Sequence, residues 1–133
     1  MLKVENISFR YSRNAPPVLN GASMELKAGE IGIVLGRNGS GKTTLFKNIL
    51  GIHTRNSGSI LFNGENLLKM SKKERARRIG YVPQDIQFGA LSVYDSILMG
   101  RISYFGLKAG MDDFDAVEKV IVDMRLEKYK YRN

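Results

Sequence analysis

At 133 residues, with 43% hydrophobic and 26% charged side chains, the chain has the composition of one globular domain, which argues against disorder and low complexity. The absence of cysteine excludes a disulfide framework and a thiolate metal site, and accords with a reducing compartment. No apolar run approaches the roughly 18 residues that span a bilayer, and Met1-Leu2-Lys3-Val4-Glu5 does not read as a signal peptide, so a cytoplasmic chain is expected. A formal net charge of +8 raises the question of a nucleic-acid face, which the placement of the cationic residues decides.

In chain order, Leu2 and Val4 alternate with polar neighbours, and Ile7, Phe9 and Tyr11 do so in the opposite phase. That shift predicts an antiparallel strand with a bulge near Glu5 and Asn6. After Ala15-Pro16-Pro17, residues 18–27 read as a second strand region with a turn at Ala28-Gly29. The apolar run Ile31-Gly32-Ile33-Val34-Leu35 predicts a strand buried on both faces, as in a parallel sheet.

Directly behind it comes Gly36-Arg37-Asn38-Gly39-Ser40-Gly41-Lys42-Thr43-Thr44, which matches the phosphate-loop pattern G-x-x-x-x-G-K-[ST]. A triphosphate needs many short donors at once, and a glycine-rich turn lets backbone N–H groups point inward without Cβ interference. Gly36, Gly39 and Gly41 supply that freedom, with Asn38 and Ser40 between them. Lys42 is placed to reach the β- and γ-phosphates and Thr43 to offer its hydroxyl to Mg²⁺, while the helix opening near Gly41 aims its positive end at the anion. Leu45, Phe46, Ile49 and Leu50 recur at helical spacing, which gives the motif a strand before it and a helix after it.

Gly51 is a natural stop for that helix. Ile60-Leu61-Phe62 reads as a strand with a tight turn at Asn63-Gly64, and Ser71-Lys72-Lys73-Glu74 as a capping box that opens a short helix over residues 72–78. Six cationic residues fall between Lys69 and Arg78. Without interleaved aromatics to stack bases, they read as solvated side chains on that helix, and no nucleic-acid partner is expected. Ile79-Gly80-Tyr81-Val82 reads as a short buried strand ending at Pro83-Gln84, and residues 93–101 and 113–125 as two further helices.

Val120-Ile121-Val122-Asp123 resembles the aliphatic run ending in Asp that holds Mg²⁺ in many phosphate-loop proteins. Phe114, Val117, Ile121 and Met124 recur at helical spacing, however, and Asp112 is placed to cap, so the run reads as a helix with a core stripe. His53, the only histidine, lies in a polar stretch past a helix end and reads as a surface residue able at most to cap carbonyls.

With the phosphate loop, Tyr11 in Phe9-Arg10-Tyr11-Ser12 and Gln84 in Tyr81-Val82-Pro83-Gln84, the whole chain resembles the ATP-binding subunit of ABC transporters. The resemblance implies an α/β phosphate-loop NTPase fold of ABC ATPase type with an N-terminal antiparallel β region. It implies that Tyr11 stacks on adenine, that residues 36 and 38–44 hold the nucleotide, and that Thr43 and Gln84 touch Mg²⁺. Lys42 and Gln84 become the catalytic candidates, and the loop after Gln84 the sensor of the membrane subunit. ATP is then the substrate and Mg²⁺ the cofactor. A second ATP-binding subunit and a membrane permease are the implied partners, with the subunit peripheral to the inner face of the membrane.

Residues 91–101 followed by Tyr104-Phe105-Gly106 look like importers of iron-siderophore complexes, haem or cobalamin. The family's Leu-Ser-Gly-Gly-Gln signature, its second aliphatic strand ending Asp-Glu and its switch histidine are not found in these 133 residues. Residues 1–133 therefore resemble the N-terminal part of such a domain, and slow turnover at most is expected of them alone. A GTPase would require Asn-Lys-x-Asp and Asp-x-x-Gly, and neither occurs. A soluble ABC protein of DNA repair or translation, and a non-catalytic nucleotide-binding fragment, are the alternatives.

Overall fold

The structure, a computed structural model, describes residues 1–53, 56–84 and 89–132, with Asn56 described by its backbone alone. It divides into two units, residues 1–75 and 76–133. In the first, β1 (Leu2–Phe9), β2 (Leu19–Leu26), β3 (Asn56–Phe62) and the short β4 (Glu65–Asn66) form an antiparallel sheet in the order β2-β1-β3-β4. Both ladders of β1 slip at the predicted bulge: the β1–β2 register shifts between Val4/Met24 and Ile7/Ala22 and again before Phe9/Leu19, and the β1–β3 register shifts between Glu5/Ser59 and Ser8/Ser57. Asn6 takes φ 51 there and donates its N–H to Ser23 Oγ at 2.9 Å. The extra residue keeps Val4, Ile7 and Phe9 all buried, which a strand of strict alternation could not do.

α1 (Lys42–Ile49) buries Leu45 and Ile49 together with Thr44 and Asn48. It ends where Gly51 takes φ 66, with Gly51 N–H bonded to Asn48 O and Ile52 N–H to Lys47 O, both at 2.9 Å. The Arg75 guanidinium fills the space against Gly51, where a Cβ would stand 1.8 Å from Nη1, and donates to Leu67 O at 3.3 Å. The hairpin turn between β3 and β4 has Asn63 at φ 49 and Gly64 at φ 85, the left-handed pair that a two-residue turn requires. Ser71 and Glu74 form the expected reciprocal cap at the start of α2 (Lys72–Ala76), with Glu74 N–H to Ser71 Oγ at 3.2 Å and Ser71 N–H to Glu74 Oε2 at 2.9 Å.

In the second unit, α3 (Val93–Gly100) is capped by Ser92, which accepts from Asp95 N–H at 3.1 Å. α4 (Met111–Asp123) buries Val117 and Ile121. Val120 and Val122 face outward on this helix, so the aliphatic run is helical as predicted. Met124 departs from the expected stripe and is 65% exposed. The cap of α4 is made by Asp113 and not Asp112: Asp113 Oδ2 accepts the Gly110 N–H at 3.0 Å while Oδ1 accepts from Arg101 Nη2 at 3.0 Å. The Gly110 amide, and then Arg101, hold the Asp113 carboxyl below the usual carboxylate range.

Two expected strands do not form. Residues 31–35 run through no ladder, and Ile31, Ile33 and Leu35 are 91%, 77% and 87% exposed. Residues 79–82 are likewise outside any ladder, with Val82 80% exposed. An apolar run becomes a buried strand only by bonding to neighbours on its edges, and the sheet of the described residues offers these segments none. The basic cluster is also not uniformly solvated. Besides the buried Arg75, Arg77 donates Nε to Ser103 O at 2.8 Å and lies over the Tyr104 ring.

Candidate nucleotide-binding site

The glycine-rich loop wraps the start of α1. Gly39 and Gly41 stand at φ 81 and 93, where residues with a Cβ are strained, and Gly41 is the N-cap of the helix. A Cβ at Gly41 would also meet Val18 O at 3.0 Å, and one at Gly36 would meet Ser40 Oγ at 2.6 Å. Among the described residues no side chain caps α1, and its first turn carries no acidic residue to offset the positive end of the helix dipole. Lys42 Nζ donates to Gly36 O at 2.6 Å and Arg37 O at 2.9 Å, which folds the ammonium back over the loop. One cation, a turn of backbone donors and an uncapped helix end converge here. These are features that a site for several phosphate oxygens requires.

Tyr11 lies beyond the end of β1 with its hydroxyl 3.1 Å from Thr44 Oγ1. Thr44 is buried, and Tyr11 is 62% exposed. The Tyr11 ring meets Phe9 edge to face at 5.1 Å and His53 at 5.5 Å, and Phe9 stacks on His53 at 4.5 Å. His53 is thus packed among rings, not placed on the surface as its polar neighbours suggested, and its buried Nε2 has no hydrogen-bond partner among the described residues. Phe9 and Tyr11 stand two residues apart, a spacing that on an extended chain sets them on one side and that is a signal available in the sequence. Nothing local to residues 51–53 announces that His53 joins them.

The structure therefore brings Tyr11, Thr44, Lys42 and the loop glycines into one unit. Thr43 is exposed at the helix start, and Asn38 and Ser40 are exposed on the loop. Gln84 belongs to the second unit, in exposed irregular backbone, and the expected sensor loop after it lies partly outside the described residues. Among the described residues no three His, Cys, Asp or Glu side chains gather as a metal site. Magnesium takes few protein ligands and keeps water and phosphate oxygens, so the lone Thr43 hydroxyl fits that ion as one donor among those. A cavity of about 470 Å³ borders Tyr11, lined by Ser8, Arg10, Arg13 and Ser57. Another, of about 760 Å³ over Lys3, Glu25 and Ser59, contains none of the loop residues and only open sheet surface. No helix among the described residues is long and apolar enough to cross a membrane.

The fold and this loop define an α/β protein of the phosphate-loop class with an N-terminal antiparallel sheet. The ABC transporter family profile matches residues 19–133, and the chain belongs to that family. It is 33% identical over 132 residues to an uncharacterized ABC transporter ATP-binding protein of Methanocaldococcus jannaschii, covering 99% of this chain and 51% of that one. It is 35% identical over 117 residues to the leukotoxin translocation ATP-binding protein LktB of Mannheimia glucosida, covering 83% of this chain and 16% of the relative. The chain thus spans about half the length of the first relative and a smaller share of the second. Among solved structures, cbiO1 of Clostridium perfringens, described as part of the ABC transporter complex cbiONQ, superposes with TM-score 0.69 at 27% identity, covering 98% of this chain and 53% of that one. A dimeric ATP-binding cassette in a post-hydrolysis state, bound to ADP and Pi, shares the fold with TM-score 0.70 at 20% identity, over 98% of this chain and 60% of that one.

Proposed function

We propose that residues 36–44 bind the triphosphate of Mg-ATP and that Tyr11 carries the adenine, in the N-terminal part of an ATP-hydrolysing subunit of an ABC transporter. The observation that carries this reading is the Lys42 ammonium, held 2.6 and 2.9 Å from the Gly36 and Arg37 carbonyls beside the uncapped start of α1. Phosphoryl transfer is catalysed mainly by positioning and charge, and a cation fixed in the loop neutralises the γ-phosphate as negative charge shifts toward the leaving ADP. Backbone N–H groups from Gly39 to Thr44 would orient the chain of phosphates, and the Thr43 hydroxyl and Gln84 would hold Mg²⁺, which would supply positive charge against the phosphates. Gln84 also orients the water that attacks the γ-phosphorus.

In the complete protein we place a second ATP-binding subunit opposite this loop and a permease at the membrane, with the subunit on the cytoplasmic face. The ADP-bound dimer of the fold neighbour and the place of cbiO1 in a transporter complex support that arrangement. For the cargo class, residues 91–101 with Tyr104-Phe105-Gly106 favour import of an iron-siderophore complex, haem or cobalamin. The resemblance to LktB, a translocation protein by its description, favours a second reading in which the transporter exports. Vesicles carrying the subunit with its co-purified permease distinguish the two: ATP-dependent uptake of a labelled siderophore, haem or cobalamin supports import, and ATP-dependent extrusion supports export.

Calorimetric titration with Mg-ATP, wild type against Lys42→Ala, tests the site itself. A charge-assisted contact of about 1.5–3 kcal/mol corresponds to a loss of roughly 10- to 150-fold in affinity. Identical isotherms would remove the proposed site.

A further inference from the structure

We infer that His53 is a positioning residue that holds the Tyr11 ring in place for the nucleobase; the inference rests on the proposed role of Tyr11. Tyr11 stands past the last bonded pair of β1, where no ladder fixes it, and more than half of its surface is open. Its orientation therefore depends on side-chain contacts. Three are present among the described residues: the hydroxyl on Thr44 Oγ1 at 3.1 Å, the Phe9 ring at 5.1 Å with an interplanar angle of 86°, and the His53 ring at 5.5 Å and 88°. Phe9, 5% exposed, is fixed by the core, and His53 stacks on it at 4.5 Å and 22°.

The backbone at His53 is set by the end of α1. Lys47 O accepts from both Ile52 N–H at 2.9 Å and His53 N–H at 3.3 Å, after a turn at Gly51 that Arg75 fills from below. Thr44 sits in the first turn of the same helix. α1 thus grips Tyr11 at two points, through Thr44 at the hydroxyl and through His53 at the ring, and refers the ring to the helix whose N-terminus faces the phosphates. Among the described residues the buried His53 Nε2 has no hydrogen-bond partner. What the ring does at this place is stack, and ring-to-ring geometry of this kind is directional.

The experiment measures, on the full chain, affinities for Mg-ATP and for Mg-tripolyphosphate, which has the phosphates and no base. Wild type, His53→Ala, His53→Phe and Tyr11→Ala are compared. His53→Ala is expected to weaken Mg-ATP about 3- to 10-fold, from the loss of an aromatic pair, with tripolyphosphate unchanged. His53→Phe, which keeps a ring against Phe9 and Tyr11, is expected to return within about 2-fold of wild type on the same scale. A purely structural role would move both ligands together or neither, and either pattern overturns the inference, as does His53→Phe behaving like His53→Ala. If Tyr11→Ala lowers the ratio of the two affinities and His53→Ala does not, the inference alone falls. If wild type binds no Mg-ATP, or Tyr11→Ala leaves the ratio unchanged, the proposed role of Tyr11 falls and the inference with it.

Discussion

The Tyr11 hydroxyl lies 3.1 Å from Thr44 Oγ1, joining the segment after β1 to the first turn of α1 across 33 residues of sequence. Thr44 is the last residue of the phosphate loop, and the family resemblance that the loop anchors makes Tyr11 the base-stacking candidate. The contact places the ring and the anion site on one framework.

Tyr11→Phe keeps the ring and removes this bridge. The expected cost is about 0.5–1.5 kcal/mol of folding stability, the worth of one hydrogen bond, with Mg-ATP affinity within about 3-fold of wild type. Urea unfolding and calorimetry on the same preparation check it. A Tyr11→Phe loss of affinity as large as that of Tyr11→Ala would show that the hydroxyl, and not the ring, is what matters.

Gly41→Ala forces a side chain onto a backbone at φ 93 and within 3.0 Å of Val18 O. About 1–2 kcal/mol of destabilisation is expected from the left-handed conformation alone, together with a marked loss of Mg-ATP binding because the strain lies in the loop. Gly58→Ala is the contrasting case. Its Cβ would stand 2.3 Å from the Glu5 carbonyl oxygen at the β1 bulge, far too close for any real contact. It should lower the melting temperature more than Gly41→Ala does, since the β1–β3 ladder must open to admit it. At temperatures where it remains folded, its nucleotide affinity should be close to wild type.

Acid should weaken the second unit through Asp113. Its carboxyl is held below the usual carboxylate range by the Gly110 amide and by Arg101, so its ionised form is favoured by folding. The stabilisation is fully present above the ordinary carboxylate pKa and is lost as pH falls through the depressed value. Wild type should therefore lose more stability than Asp113→Asn between neutral pH and the acid end of that range, measured by urea unfolding at each pH. Equal losses would mean that this carboxyl is not linked to folding.

The parts legible in the sequence were those decided by a few neighbouring residues. The Asn6 bulge followed from a phase change in alternation, the Asn63-Gly64 turn from two residues able to take positive φ, and the Ser71/Glu74 cap from a spacing of three. The phosphate loop was legible because its chemistry demands glycines and a lysine at fixed positions. Distant partners were less so. The run Ile31 to Leu35 has a strand's composition, but strandhood is settled by edge bonding to other segments, and its neighbours are not in this sheet. His53 looked like a surface residue because its ring finds Phe9 and Tyr11 more than 40 positions away in sequence. Asp112 and Asp113 are adjacent residues of the same type, and Arg101 bonding to the second is what the sequence could not convey.

Under the proposed function, main-chain amides of residues 36–44 cradle a triphosphate with Lys42 at its end. Amide NMR spectra of the isotopically labelled chain, recorded during titration with Mg-ATP, test it most directly. The largest shifts are expected from the amides of Gly39 to Thr44, with a smaller response around Tyr11. Unmoved loop amides beside large shifts at Lys3, Glu25 and Ser59, which line the other cavity, would contradict it.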